Sequence, residues 1–153
     1  MENDNEFYMR VALDEAKKAF SEMEIPVGAV IVKNDKIIAK AHNKNRNLHD
    51  PTAHAEILAL QKAAQYLQNE RLTDCYMYVT KEPCAMCAGA IIHARIKKLI
   101  IGTPDNRFGA CGTVLNVCGN EALNHKPNVV FGILAKECQS LLQEFFIQLR
   151  RKD

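Results

Sequence analysis

Apolar residues along the chain keep changing their spacing, and each change marks an element. Met9, Ala12, Leu13, Ala16, Ala19 and Phe20 recur three and four positions apart, which gathers them onto one face of an α-helix. Asp4, upstream, stands where an N-capping side chain is expected. Val27 to Val32 is then a short apolar run, Asn34-Asp35 a turn pair and Lys36 to Ala41 a second run, which together predict a β-hairpin. His49-Asp50-Pro51-Thr52 ends that pattern and predicts a second helix, with Asp50 as cap, Pro51 in the first turn and Ile57, Leu60, Ala64 and Leu67 as its buried stripe. Tyr76 to Thr80 predicts a strand, Pro83 to His93 a helix rich in small residues, and Leu99 to Gly102 and Val129 to Gly132 two more strands. Cys138, Leu141, Leu142, Phe145, Phe146 and Leu149 form the stripe of a closing helix. Strands alternating with helices predict an α/β protein, a three-layer α/β/α sandwich with its sheet covered on both faces. Asp105 to Asn128 fits neither spacing and reads as a structured functional loop.

Composition narrows the class. The 153 residues suit a single domain spanning 1–153, without internal repeat, low-complexity segment or linker. With 48% hydrophobic and 25% charged residues the chain has the makeup of a globular protein rather than a disordered one. A net charge of +2 is too mild to mark a nucleic-acid binder and does not exclude one. No apolar run approaches the roughly 18 residues of a membrane span. Met1-Glu2-Asn3-Asp4 lacks the basic and apolar regions of a signal peptide, so a cytoplasmic protein without membrane partners is expected. In such a reducing compartment Cys75, Cys111, Cys118 and Cys138, scattered among apolar or small neighbours, read as small buried hydrophobes.

Cys84 and Cys87 differ, because they form Pro-Cys-x-x-Cys, a metal-ligand or redox spacing. His54-Ala55-Glu56 follows Pro51 just as Cys84-Ala85-Met86-Cys87 follows Pro83, so both sets belong at a helix start. The partial positive charge there, about half an elementary charge, favours thiolate over thiol. Two thiolates and one imidazole leave the fourth tetrahedral position of zinc for water, as in a catalytic rather than a structural site. Residues two apart do not share a face in a helix interior, so His54 and Glu56 can approach one metal only at a helix end. A structural zinc has no use for that glutamate, whereas hydrolysis needs a base beside the water. Either motif alone is weak. Together they match the H-x-E…P-C-x-x-C signature of zinc deaminases.

Asp50-Pro51-Thr52-Ala53-His54-Ala55-Glu56 and Glu82-Pro83-Cys84-Ala85-Met86-Cys87-Ala88-Gly89-Ala90 resemble the cytidine deaminase superfamily. Within it, these segments resemble the bacterial tRNA-specific adenosine deaminases. So do Pro26-Val27-Gly28-Ala29-Val30, His93-Ala94-Arg95-Ile96, Gly102 to Gly112, Asn124-His125 and Phe145-Phe146, and the likeness covers nearly the whole chain. The resemblance implies a five-stranded mixed sheet between helices and a homodimer with one Zn2+ per subunit. It also implies hydrolysis of the wobble adenosine of an arginine tRNA anticodon to inosine, with a zinc-activated water as nucleophile. Glu56 is then the catalytic proton carrier and His54, Cys84 and Cys87 the metal ligands.

Relatives share the signature. Free-cytidine deaminases usually carry cysteine at the position of His54, while guanine deaminases share Pro-Thr-Ala-His-Ala-Glu and Pro-Cys-x-Met-Cys and are the main alternative. A zinc-stabilised RNA-binding module without turnover is a further one, against which Glu56 speaks. Ile92-His93-Ala94-Arg95-Ile96 and the Asp105-to-Gly112 loop resemble the tRNA enzymes, although Arg107-Phe108 replaces the smaller or more polar residues expected there. The resemblance implies substrate contacts at Asn43, Asp105, Asn124 and Phe146, since aromatic stacking on splayed loop bases is the usual mode of RNA recognition. Taken by themselves, Asn43 could close a turn, Asp105 could cap, and Phe146 belongs to the apolar stripe of the last helix. Lys44, Arg46, Arg95, Lys97, Lys98, Arg150, Arg151 and Lys152 could meet phosphates, though most such charges are simply solvated.

Overall fold

The computed structural model describes residues 2–152. Its elements are α1 (Glu2–Ser21), β1 (Gly28–Lys33), β2 (Lys36–His42), α2 (Ala55–Leu67), β3 (Cys75–Lys81), α3 (Ala85–His93), β4 (Lys98–Thr103), β5 (Asn128–Phe131) and α4 (Ala135–Lys152). One sheet runs in the order β2-β1-β3-β4-β5, antiparallel between β2, β1 and β3 and parallel from β3 to β5. This is the expected five-stranded mixed sheet.

The hairpin forms because Asn34 and Asp35 accept positive φ, 51° and 60°, the pair of left-handed residues a tight two-residue turn requires. The central strands are apolar on both sides, since each face carries a helical layer. Ala29, Ile31, Met77, Val79, Leu99 and Ile101 pack under α2 and α3. Val30, Val32, Tyr78 and Ile100 pack under α1, with Cys138 of α4 in the same cluster. Gly28 lets α1 come close, because a Cβ there would run into the Ala12 carbonyl and the Ala16 amide. Cys75, Cys111, Cys118 and Cys138 are all buried as free thiols.

Three boundaries depart from the sequence expectation. α1 is already formed at Asp4, which lies inside the helix rather than capping it. Tertiary contacts extend the helix: Asn5 accepts the Tyr78 hydroxyl at 3.0 Å and Tyr8 packs on the Tyr78 ring. α2 begins at Ala55, not at Pro51. Asp50 caps a turn instead, its Oδ1 accepting from the Thr52 amide and hydroxyl, while the Ala53 carbonyl accepts from Lys44. The stripe of α2 is rotated accordingly, with Ala55, Ala59, Leu60 and Ala63 buried and Ile57, Ala64 and Leu67 only half-buried. Likewise α3 starts after Pro83, whose carbonyl accepts from Ala110.

Candidate active site

Both motifs sit at helix N-termini pointing to the same end of the sheet. His54 is the N-cap of α2 and Cys84 the N-cap of α3, each with extended backbone, and neither uses its side chain to cap. An N-cap side chain normally turns back onto its own helix; here both are left for each other. His54 Nδ1 lies 3.7 Å from Cys84 Sγ and 3.3 Å from Cys87 Sγ, and the three ligand atoms lie within 4.8 Å of one another. Nitrogen and sulfur donors on a tetrahedral zinc, with bonds of about 2.0 and 2.3 Å, stand about 3.5 Å apart. The donor set therefore fits a metal of zinc's size and softness.

The three donors are coupled through their protons. The neighbouring Cys87 thiol, and after it the His54 ring, outweigh burial and bring the Cys84 pKa down to about 3. The same Cys84 contact, then burial, pushes the Cys87 thiol far above its usual range, and the hydrogen bond to Cys84 raises the His54 pKa. A cation among the donors would replace that proton sharing and hold both sulfurs as thiolates.

The α2 amide that His54 leaves uncapped is taken by Asn43, just beyond β2, whose Oδ1 accepts from the Ala55 N–H at 2.8 Å. Glu56 follows in the first turn of α2, only 4% exposed and close enough to His54 and Cys84 to feel their charges. Burial raises its pKa above the ordinary carboxylate range, the charged form being the one that loses hydration.

These groups open into a cleft of about 770 Å3, whose floor includes His54, Glu56 and Cys84. One wall is apolar, from Ile25 and Val27 and from Leu142, Phe145, Phe146 and Leu149 of α4. The facing wall is polar: Asn43, Lys81, Asp105, Asn106 and Arg107, with Phe108 at its end. Asp105 is a loop organiser. Its Oδ1 accepts from the Arg107 and Phe108 amides and its Oδ2 pairs with Lys81 at 3.3 Å. Burial raises its pKa, but those hydrogen bonds and the Lys81 charge outweigh it and leave the carboxyl below its ordinary value.

Of the residues singled out in the sequence, the structure brings His54, Cys84, Glu56, Asn43, Asp105 and Phe146 to this cleft, with Cys87 buried against His54. Asn124 is a departure. It does not line the cleft but accepts from the Arg95 guanidinium at 3.1 Å. Sequence reasoning missed Glu82. Only 1% exposed, it accepts from the amides of Asp105, Cys111 and Thr113 and from the Thr113 hydroxyl, so one carboxylate fixes the loop that forms the polar wall. Gly109 belongs to this arrangement, since a Cβ would strike the Glu82 carboxylate. The local signal was an acidic residue directly before Pro83, just after an apolar run.

Comparison with known proteins agrees with this geometry. The family model for MafB19-like deaminases matches residues 3–150. A tRNA-specific adenosine deaminase of Bacillus subtilis is 44% identical over 97% of this chain and 92% of its own. That of Aquifex aeolicus is 46% identical over 95% of each. A solved structure from a study of A-to-I editing by tRNA:A34 deaminases at the wobble position of transfer RNA superposes with a TM-score of 0.86 at 39% identity, over 88% of this chain and 98% of that one. A guanine deaminase from Nitrosomonas europaea shares the fold at a TM-score of 0.76, with 25% identity over 92% of this chain and 83% of that one. The chain belongs to the MafB19-like deaminases and, with relatives more than 40% identical over nearly its full length, to the family of tRNA-specific adenosine deaminases.

Proposed function

We propose that this protein hydrolyses adenosine to inosine at the wobble position of a tRNA anticodon, an arginine tRNA by family resemblance, with zinc held by His54, Cys84 and Cys87 and with Glu56 as the proton carrier. The observation that carries the reading is the meeting of an imidazole and two sulfurs from separate helices beside a buried carboxyl, at the floor of a half-apolar cleft.

Zinc in that donor set would supply Lewis acidity, lowering the pKa of a bound water from 15.7 toward about 7. Glu56 takes a proton from the attacking water as the oxygen bonds to the amino-bearing carbon of adenine. It passes that proton to the adjacent ring nitrogen. A second transfer through Glu56, from the new hydroxyl to the amino nitrogen, lets the carbon–nitrogen bond break, so that ammonia leaves and a carbonyl remains. A carboxyl buried at the floor of the cleft suits a group that must hold a proton between two steps without losing it to bulk water.

The base reaches the floor only when turned out of its stack, which costs least in a single-stranded loop. Phe145 and Phe146 offer apolar surface to it and its neighbours. A homodimer is part of the same proposal, with the exposed Val114 and Leu115 as apolar surface for it. Among the described residues no helix is long and apolar enough to cross a membrane. A tRNA substrate supports a cytoplasmic location.

The test offers purified protein an anticodon stem-loop with a wobble adenosine, in parallel with free guanine and free cytidine. Inosine from the RNA alone is expected. Xanthine from guanine would transfer the reading to the free-base deaminases, and release of no product from any of them would favour a non-catalytic zinc module.

A further inference from the structure

The cleft is several times larger than one base, and its outer edge carries a residue the deamination scheme does not use. Phe108, 66% exposed, is the most exposed large apolar side chain among the described residues. It makes no ring–ring contact there, whereas Phe145 meets both Phe20 and Phe146 edge to face. Its mount is rigid. The Phe108 amide donates to Asp105 Oδ1 at 3.2 Å, the Gly109 amide to the Asp105 carbonyl at 3.1 Å, and the Asp105 amide to the buried Glu82 at 3.1 Å. Arg107 stands exposed beside it. A phenylalanine left in water on fixed backbone gains nothing from folding. A flat apolar face next to a cation is what stacks an unpaired base while the cation meets its phosphate.

We propose that Phe108 is a specificity-determining residue, a stacking platform for the unpaired nucleobase that flanks the reacting one. This rests on the reading of the substrate as a single-stranded RNA loop. Stacking on this ring binds the loop before chemistry, so its loss falls on KM rather than on kcat.

The test is steady-state deamination of the anticodon stem-loop by wild type, Phe108→Ala, Phe108→Leu and Phe108→Trp, repeated on loops with an abasic residue on one or other side of the adenosine. Phe108→Ala is expected to raise KM about 10- to 100-fold, the range of one base–aromatic stack. Phe108→Trp restores it and Phe108→Leu, apolar without a π face, does not. On the loop lacking the stacked base, wild type and Phe108→Ala converge. If the wild type deaminates the loop but Phe108→Ala keeps its KM, or if Leu restores it as well as Trp, the platform is refuted while the deaminase reading stands. If the wild type fails on every loop, the substrate reading itself has failed. A changed sedimentation coefficient for Phe108→Ala with unchanged KM assigns the ring to self-association and also overturns the proposal.

Discussion

Replacing Glu82 by glutamine keeps the side-chain volume and removes one acceptor oxygen, which makes Glu82→Gln a sharp probe of how the polar wall of the cleft is held. Four donors converge on the carboxylate: the Asp105 amide and Thr113 hydroxyl on Oε1, and the Cys111 and Thr113 amides on Oε2. The least costly amide orientation puts NH2 at the Oε1 position, where the Thr113 hydroxyl can rotate to accept. The Asp105 amide is then orphaned, at about 1–3 kcal/mol, and the remaining bonds lose the ionic assistance worth about 1 kcal/mol each. The sum is about 4 kcal/mol, which at about 3 °C per kcal/mol for a domain of this size lowers Tm by about 12 °C. Thermal and urea denaturation at fixed zinc concentration measure it, with Thr113→Val, which removes only the hydroxyl donor, expected to cost about 1 kcal/mol. Activity on the RNA should fall in Glu82→Gln even below its melting range, because Asp105 and Phe108 ride on that loop. A Glu82→Gln protein within about 0.5 kcal/mol of wild type would refute the claim that this carboxylate organises the wall.

Asn43→Ala leaves the first amide of α2 without its acceptor and should cost about 1 kcal/mol, read by denaturation, with Asn43→Asp retaining most of the stability. Cys87→Ser should lower bound zinc in elemental analysis, and a chelator should remove the metal from the wild type with loss of activity. The acid limb of stability is expected to report Asp105: its folded pKa lies below the ordinary 3.8, so its contribution is present above that value and lost as pH falls through the folded one. Asp105→Asn should therefore be less stable at pH 7 and lose less stability on acidification, which urea midpoints measured from pH 6 downward would show.

Most of the layering was legible in the sequence because it follows from local pattern. Asn34-Asp35 announces a left-handed turn, the runs of β1, β3 and β4 are apolar on both faces, and α4 carries a full 3.6-residue stripe. The meeting of His54, Cys84 and Cys87 was legible because Pro-Cys-x-x-Cys and His-x-Glu each compress a helix start and its donor side chains into a few residues. What escaped depends on partners far along the chain. Asp50 has the chemistry of an N-cap, yet the α2 amide is capped by Asn43, 12 residues upstream of its partner. Glu82 meets donors 23 to 31 residues away, which no spacing rule can pair. Asn124 lies beside Arg95, 29 residues upstream, whose guanidinium donates to it, a pairing that no local pattern announces.

Proton transfer by Glu56 is best examined through Glu56→Ala, by measuring zinc per subunit, melting temperature and inosine formation on one preparation. Zinc and fold should persist, because His54, Cys84 and Cys87 are untouched, while the rate falls by at least about 100-fold, the usual worth of a positioned acid–base group. Inosine formed at the wild-type rate by a zinc-replete Glu56→Ala protein would contradict the assignment.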